Sequence, residues 1–98
     1  MDASECGGVT EWRRAAALCA ATGVDMAHHE ESQIARHLMA AAPRGTFVEC
    51  FADTERDPVW QSMWANRPPI KDGMLGASAD PGFGLVLDDG LLRRYRVA

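Results

Sequence analysis

Three side chains in this 98-residue sequence are of types and spacing suited to moving protons: Asp2, His29 and Glu49. Imidazole titrates near neutrality, so a histidine at a strand end can both take up and release a proton. Glu49 lies inside the apolar run Phe47-Val48-Glu49-Cys50-Phe51. A carboxylate there is costly unless it is paired or functional, or unless the strand ends and leaves it in solvent. Asp2 precedes His29 by 27 positions and Glu49 follows it by 20. Next to a chain end, Asp2 is exposed to fraying, which makes it the weakest of the three.

The elements that would position them can be read from periodicity. Val24 to Ala27 reads as a buried strand, followed by a polar break from His28 to Glu31. An amphipathic helix then runs from about Ser32 to Ala42, with Ile34, Leu38 and Ala41 as its apolar stripe. Pro43-Arg44-Gly45 stops it, and Thr46 to Phe51 reads as a second buried strand. Two parallel strands joined by a helix form a βαβ unit. His29 and Glu49 then fall where each strand gives out at its carboxyl end, the edge at which α/β sheets keep their chemistry. Upstream, Gly7-Gly8 makes a turn, and Thr10 with Glu11 opens a helix to about Thr22. Trp12, Ala15, Ala16 and Cys19 share one face of it, Arg13 and Arg14 point outward, and Gly23 stops it. Asp2 therefore sits one βα step ahead of His29, and three polar groups at three successive loop positions describe a barrel mouth.

After Phe51 the texture changes. Asp57-Pro58 opens a short helical turn through about Trp64, which Arg67-Pro68-Pro69 ends. Asp72-Gly73 and Pro81-Gly82-Phe83-Gly84 are turn signals, Leu85 to Leu87 a short strand candidate, and Asp88 or Asp89 a cap for a last turn over Gly90 to Tyr95. The expected division is 1–56 and 57–98. Parallel strands need both faces covered, and a complete eight-stranded barrel takes roughly 250 residues. The expectation is a piece of something larger.

Charge and composition narrow the partners. A net charge of −4 gives no basic footprint for nucleic acid. No apolar run approaches the roughly 20 residues of a membrane span. Cys6, Cys19 and Cys50 are odd in number and show no metal-ligand spacing, which points to reduced thiols and a cytoplasmic location. His28, His29, Glu30 and Glu31 lack the i, i+4 spacing that puts two metal ligands on one helix face. Adjacent strand residues point to opposite faces, so only one of His28 and His29 can face a barrel axis; spacing selects His29, leaving His28 at the surface or behind the site. His37, Trp12, Trp60 and Trp64 read as structural, and the Pro81–Gly84 turn lacks the helix and lysine of a phosphate loop.

Taken in order, these residues resemble the C-terminal end of the enolase superfamily, in its mandelate racemase/muconate lactonizing enzyme family. Asp2 with Gly7-Gly8-Val9-Thr10 is similar to the end of that family's sixth barrel strand and the start of the next helix. Gly23-Val24-Asp25-Met26-Ala27-His28-His29 looks like the seventh strand, and His37-Leu38-Met39-Ala40-Ala41-Ala42-Pro43 like the helix behind it. Val48-Glu49 looks like the eighth strand, and the glycine-rich turns after Lys71 resemble the tail that returns towards a capping domain. The fold implied is α/β, a partial (β/α)8 TIM barrel of about the last two strands.

The resemblance implies abstraction of the proton α to a carboxylate, with Mg2+ stabilising the enediolate. His29 would be the base, or the acid on the return step. Asp2 would fix its tautomer, and Glu49 would donate or share a proton with the substrate carboxylate in a dry site. The aspartate–histidine pair favours the mandelate racemase group, because the related lactonising and epimerase group carries a lysine after its sixth strand and none lies near Asp2. The implied substrate is a small-molecule carboxylate, a sugar acid. The three strands that carry the family's magnesium carboxylates, the opposing base and the capping domain have no counterpart here. This chain by itself is therefore expected to be inactive. Three readings follow: the C-terminal segment of a sugar-acid lyase or isomerase; a non-enzymatic truncated remnant, prone to homo-oligomer formation; or a small α/β domain that binds a partner through its tryptophans.

Overall fold

The computed structural model describes residues 1–51, 53 and 55–97. They divide into two compact units, Met1–Cys50 and a second that starts at Phe51.

The first unit is built on a βαβ motif. Helix α1 spans Val9–Thr22, strand β1 Met26–His28, helix α2 Ser32–Ala41 and strand β2 Gly45–Val48. The two strands pair in parallel, Ala27 opposite Phe47 and His28 opposite Val48, with a bulge between Met26 and Ala27. Helix α1 closes through Gly23 at φ 73°. The Gly23 N–H donates to the Ala20 carbonyl and the Val24 N–H to that of Cys19 at 2.9 Å, so Val24 finishes the helix rather than starting a strand. This places β1 two residues later than its apolar run suggested, and Val24 is exposed.

Two expectations of burial are corrected. Strand β2 ends at Val48 and is not a buried strand to Phe51: Phe47 is 76% exposed. The pleat puts Met26, His28 and Val48 towards the core and turns Ala27 and Phe47 the other way. Nor is the Ile34–Leu38–Ala41 stripe the buried face of α2. Ser32, Gln33, Ala35, Arg36 and Met39 are buried, whereas Ile34 and Leu38 are half-buried and Ala41 exposed. Ala35, with no side chain beyond Cβ, lets α2 lie close on the strands, and Arg36 folds back so that its Nε donates to the Gln33 carbonyl. Leu38 and Ala41 instead line a groove of about 240 Å³ beside Trp12, Ala16 and Pro43. Trp12, Ala16, Met26, Met39 and Ala3 form the core.

The second unit is held by short elements. Helix α3 spans Pro58–Ser62, strands β3 Ile70–Lys71 and β4 Met74–Leu75 form a hairpin, and helix α4 spans Asp89–Tyr95. Asp72 and Gly73 both take positive φ, the two-residue turn that suits strand twist. Asp88 caps α4, its carboxylate accepting from the Leu91 N–H at 2.7 Å. Asn66 stands in for a strand: its amide donates to the Gly84 carbonyl and accepts from the Val86 N–H. The expected strand at Leu85 to Leu87 is reduced to a single bridge between Leu87 and Trp64. Trp60 and Trp64 pack edge to face, with ring centroids 5.8 Å apart. None of the described helices is long and apolar enough to cross a membrane.

Candidate active site

The three proton-active side chains converge. His29 is the residue after β1 and Glu49 the residue after β2, so parallel pairing sets them side by side. Its Nδ1 lies 3.4 Å from Asp2 Oδ2 and its Nε2 3.6 Å from Glu49 Oε2. Glu49 also accepts from the Glu30 N–H at 3.2 Å, and the Glu49 N–H donates to the His28 carbonyl. Glu30 and Glu31 take left-handed backbone, which turns the chain sharply out of β1 and into α2.

Asp2 is not frayed. It is 92% buried, since its relative exposure is 8%. Its Oδ1 accepts from both the N–H and the hydroxyl of Ser4, at 2.9 and 2.7 Å. Burial pushes its carboxyl up, but these bonds and the His29 ring outweigh burial and hold it below the ordinary value. Segment 1–3 is tied to β1: the Met1 amino group donates to the Ala27 carbonyl and the His29 N–H to the Met1 carbonyl.

Glu49 and His29 are open to solvent, their side chains 43% and 57% exposed. The dry surroundings expected around Glu49 are not supplied by the described residues of this unit. Of the two placements left open for His28, the surface one is excluded: it is 1% exposed, among the most buried side chains in the chain. His37 is half-buried on α2. The residues that the apolar pattern did not flag are Ser4, through its bonds to Asp2, and His28. An aspartate followed two positions on by a serine is a signal for the first; nothing in the sequence distinguishes the second.

A βαβ unit with a carboxylate, an imidazole and a second carboxylate gathered at the carboxyl ends of its parallel strands defines a segment of an α/β barrel of the enzyme type. Residues 1–91 match the family described as enolase C-terminal domain-like, and the chain belongs to that family. It is 30% identical over 96 residues to a 3,6-anhydro-alpha-L-galactonate cycloisomerase of Streptomyces coelicolor, covering 98% of this chain and 25% of that protein. A mandelate racemase/muconate lactonizing enzyme from a marine actinobacterium, solved in complex with magnesium, is 44% identical with a TM-score of 0.85, over 94% of this chain and 26% of that one. An L-talarate dehydratase from Polaromonas sp. JS666, complexed with Mg and L-glucarate, is 32% identical with a TM-score of 0.78, over 94% and 24%. The chain thus spans about a quarter of the length of the relatives it matches, as a partial (β/α)8 barrel.

The residues at hand do not suit magnesium. Among the described residues two triplets bring ligand atoms within 4.8 Å of one another: Asp2, His28 and Glu31, and His29, Glu30 and Glu49. Magnesium takes six oxygens in near-octahedral array. Each triplet offers an imidazole nitrogen instead, and both ring nitrogens of His28 already face backbone partners, the Ala3 N–H and the His29 carbonyl.

Proposed function

We propose that this chain is the C-terminal segment of a mandelate racemase-type enzyme, a lyase or isomerase that removes the proton α to the carboxylate of a sugar acid. The observation that carries the reading is the position of His29 between Asp2 and Glu49 at the carboxyl edge of the parallel pair. His29 is the base that takes the α-proton through Nε2, or returns it. Asp2, bonded through Ser4, orients the ring through Nδ1 and stabilises the imidazolium. Glu49 hydrogen-bonds the substrate carboxylate as charge builds on it. In the complete enzyme magnesium supplies the counter-charge for the enediolate, from ligands outside this chain; no step at these three residues depends on it as a ligand. Residues 57–98 form the tail that returns towards a capping domain, and the reduced thiols of Cys6, Cys19 and Cys50 suit the cytoplasm.

The related L-talarate dehydratase, whose structure holds L-glucarate, supports the substrate class. The exposed Phe47 and the unpaired strand edges favour a second reading, a segment inactive by itself that associates with other chains. Two measurements separate them. Immunoblotting of the source cell with an antibody to this segment gives a band several times larger than 10.7 kDa if the segment is part of a full enzyme. Grafting residues 1–98 in place of the matching quarter of the marine actinobacterial enzyme then allows proton exchange to be followed by NMR in D2O with sugar acids and magnesium. His29→Asn and Glu49→Gln should each abolish exchange while magnesium binding persists. Exchange unchanged in both variants refutes the assignment.

A further inference from the structure

His28 has no part in the chemistry proposed above, yet its ring is buried and its two nitrogens are both committed. Nε2 lies 3.2 Å from the backbone nitrogen of Ala3, and Nδ1 2.9 Å from the carbonyl oxygen of His29. A backbone N–H can only donate and a carbonyl can only accept, so Nε2 is the bare acceptor and Nδ1 carries the proton. The tautomer follows from the partners.

Those partners lie on the two sides of the candidate dyad. Ala3 is the residue after Asp2, and the carbonyl belongs to His29 itself. The ring therefore clasps the Asp2 loop to the end of β1 at the point where the carboxylate meets the imidazole. Trp12, itself buried, backs the ring with centroids 6.0 Å apart. The Asp2–His29 separation of 3.4 Å is long for a hydrogen bond between charged groups, so small displacements of the loop decide whether it forms. We propose that His28 is a positioning residue for the reaction, a fixed-tautomer clasp that sets the Asp2–His29 contact. The proposal rests on the reading of Asp2 and His29 as a catalytic pair. A residue kept only for volume would fill the same space against Trp12 but leave the buried Ala3 N–H without an acceptor.

Two substitutions separate these roles. His28→Phe keeps the volume and removes both bonds, whereas His28→Gln places an amide oxygen near the position of Nε2 and keeps the acceptor for Ala3. In the grafted enzyme, His28→Phe should lower kcat by about 10²-fold with KM unchanged, because a misplaced dyad is penalised in the transition state and not in binding. His28→Gln should recover most of that loss. Kcat within twofold of the parent in His28→Phe overturns the proposal. In the 98-residue chain, 15N NMR of the imidazoles should show His28 as the Nδ1–H tautomer, and the Asp2 carboxyl 13C signal should carry an inflection where His29 titrates. That inflection should vanish in His28→Phe and persist in His28→Gln, with β1–β2 amide shifts intact in both. An Nε2–H ring at His28, or an inflection that survives His28→Phe, refutes the clasp. Exchange that continues in His29→Asn would instead refute the catalytic reading and leave the NMR result standing.

Discussion

Gly45→Ala should be among the most damaging single-atom additions in the first unit. A Cβ at Gly45 would sit 2.4 Å from the backbone oxygen of Met39 and 3.2 Å from both its carbonyl carbon and its side-chain Cε. Carbon and oxygen settle at roughly 3.3–3.6 Å even in favourable C–H···O contacts, so β2 and the end of α2 must part by about 1 Å. The obstacle is backbone, not the movable tip of a side chain. The Met39 carbonyl also accepts from the Ala42 N–H at 3.2 Å, and the Gly45 N–H donates to Ala42 at 3.1 Å, so the whole turn would be strained. Overpacking of this kind costs about 1–3 kcal/mol, and immovable backbone puts Gly45→Ala at the upper end. Because β2 runs straight from Gly45 to Val48, the displacement also carries Glu49 away from His29. Urea unfolding of the chain, followed by Trp12 fluorescence and far-UV circular dichroism, gives the stability change. A loss below about 0.5 kcal/mol, the range of an ordinary surface substitution, would refute the close-approach argument.

Two further outcomes are open to measurement. The folded Asp2 carboxyl lies below its ordinary value of 3.8, so ionised Asp2 stabilises the fold above the unfolded carboxylate range and loses that contribution as pH falls through its folded value. The stability gap between the parent and Asp2→Asn should therefore be full at neutral pH and close in acid; a gap independent of pH from neutral to strongly acid solution would exclude the bonds to Ser4 and His29 as its source. Phe47→Ser should change the stability of the isolated chain by no more than about 0.5 kcal/mol, since the ring is already in solvent, but by at least about 2 kcal/mol in the grafted enzyme if that face is covered there. Equal effects in the two settings would contradict the barrel placement of β2.

Much of the architecture follows from local chemistry. Glycine at 23 ends α1 because only a left-handed residue lets the last carbonyls find their donors. Asp88 caps α4 by reaching an N–H three residues ahead, and Asp72-Gly73 turns a hairpin because both residues tolerate positive φ. The helix between two short apolar runs specifies parallel pairing, and parallel pairing is enough to bring His29 and Glu49 together at one edge. These are contacts within a few residues, or consequences of connection order, and residue type alone carries them.

Tertiary packing decided the rest. The sequence of α2 has two candidate faces, and the apolar spacing of Ile34, Leu38 and Ala41 pointed to the wrong one; the close fit of Ala35 against the strands selected the face of Ser32, Gln33, Arg36 and Met39. Periodicity sets the period of a helix, but the neighbour sets its phase. Between two adjacent histidines the sequence requires only that they point apart, whereas the bonds of His28 to Ala3 and to the His29 carbonyl arise 25 residues apart and exist only in the fold. The same holds for Asp2, buried beside a chain end because Ser4 and His29 hold its carboxylate. Residue types determined which groups could exchange protons; long-range backbone placement determined which of them meet.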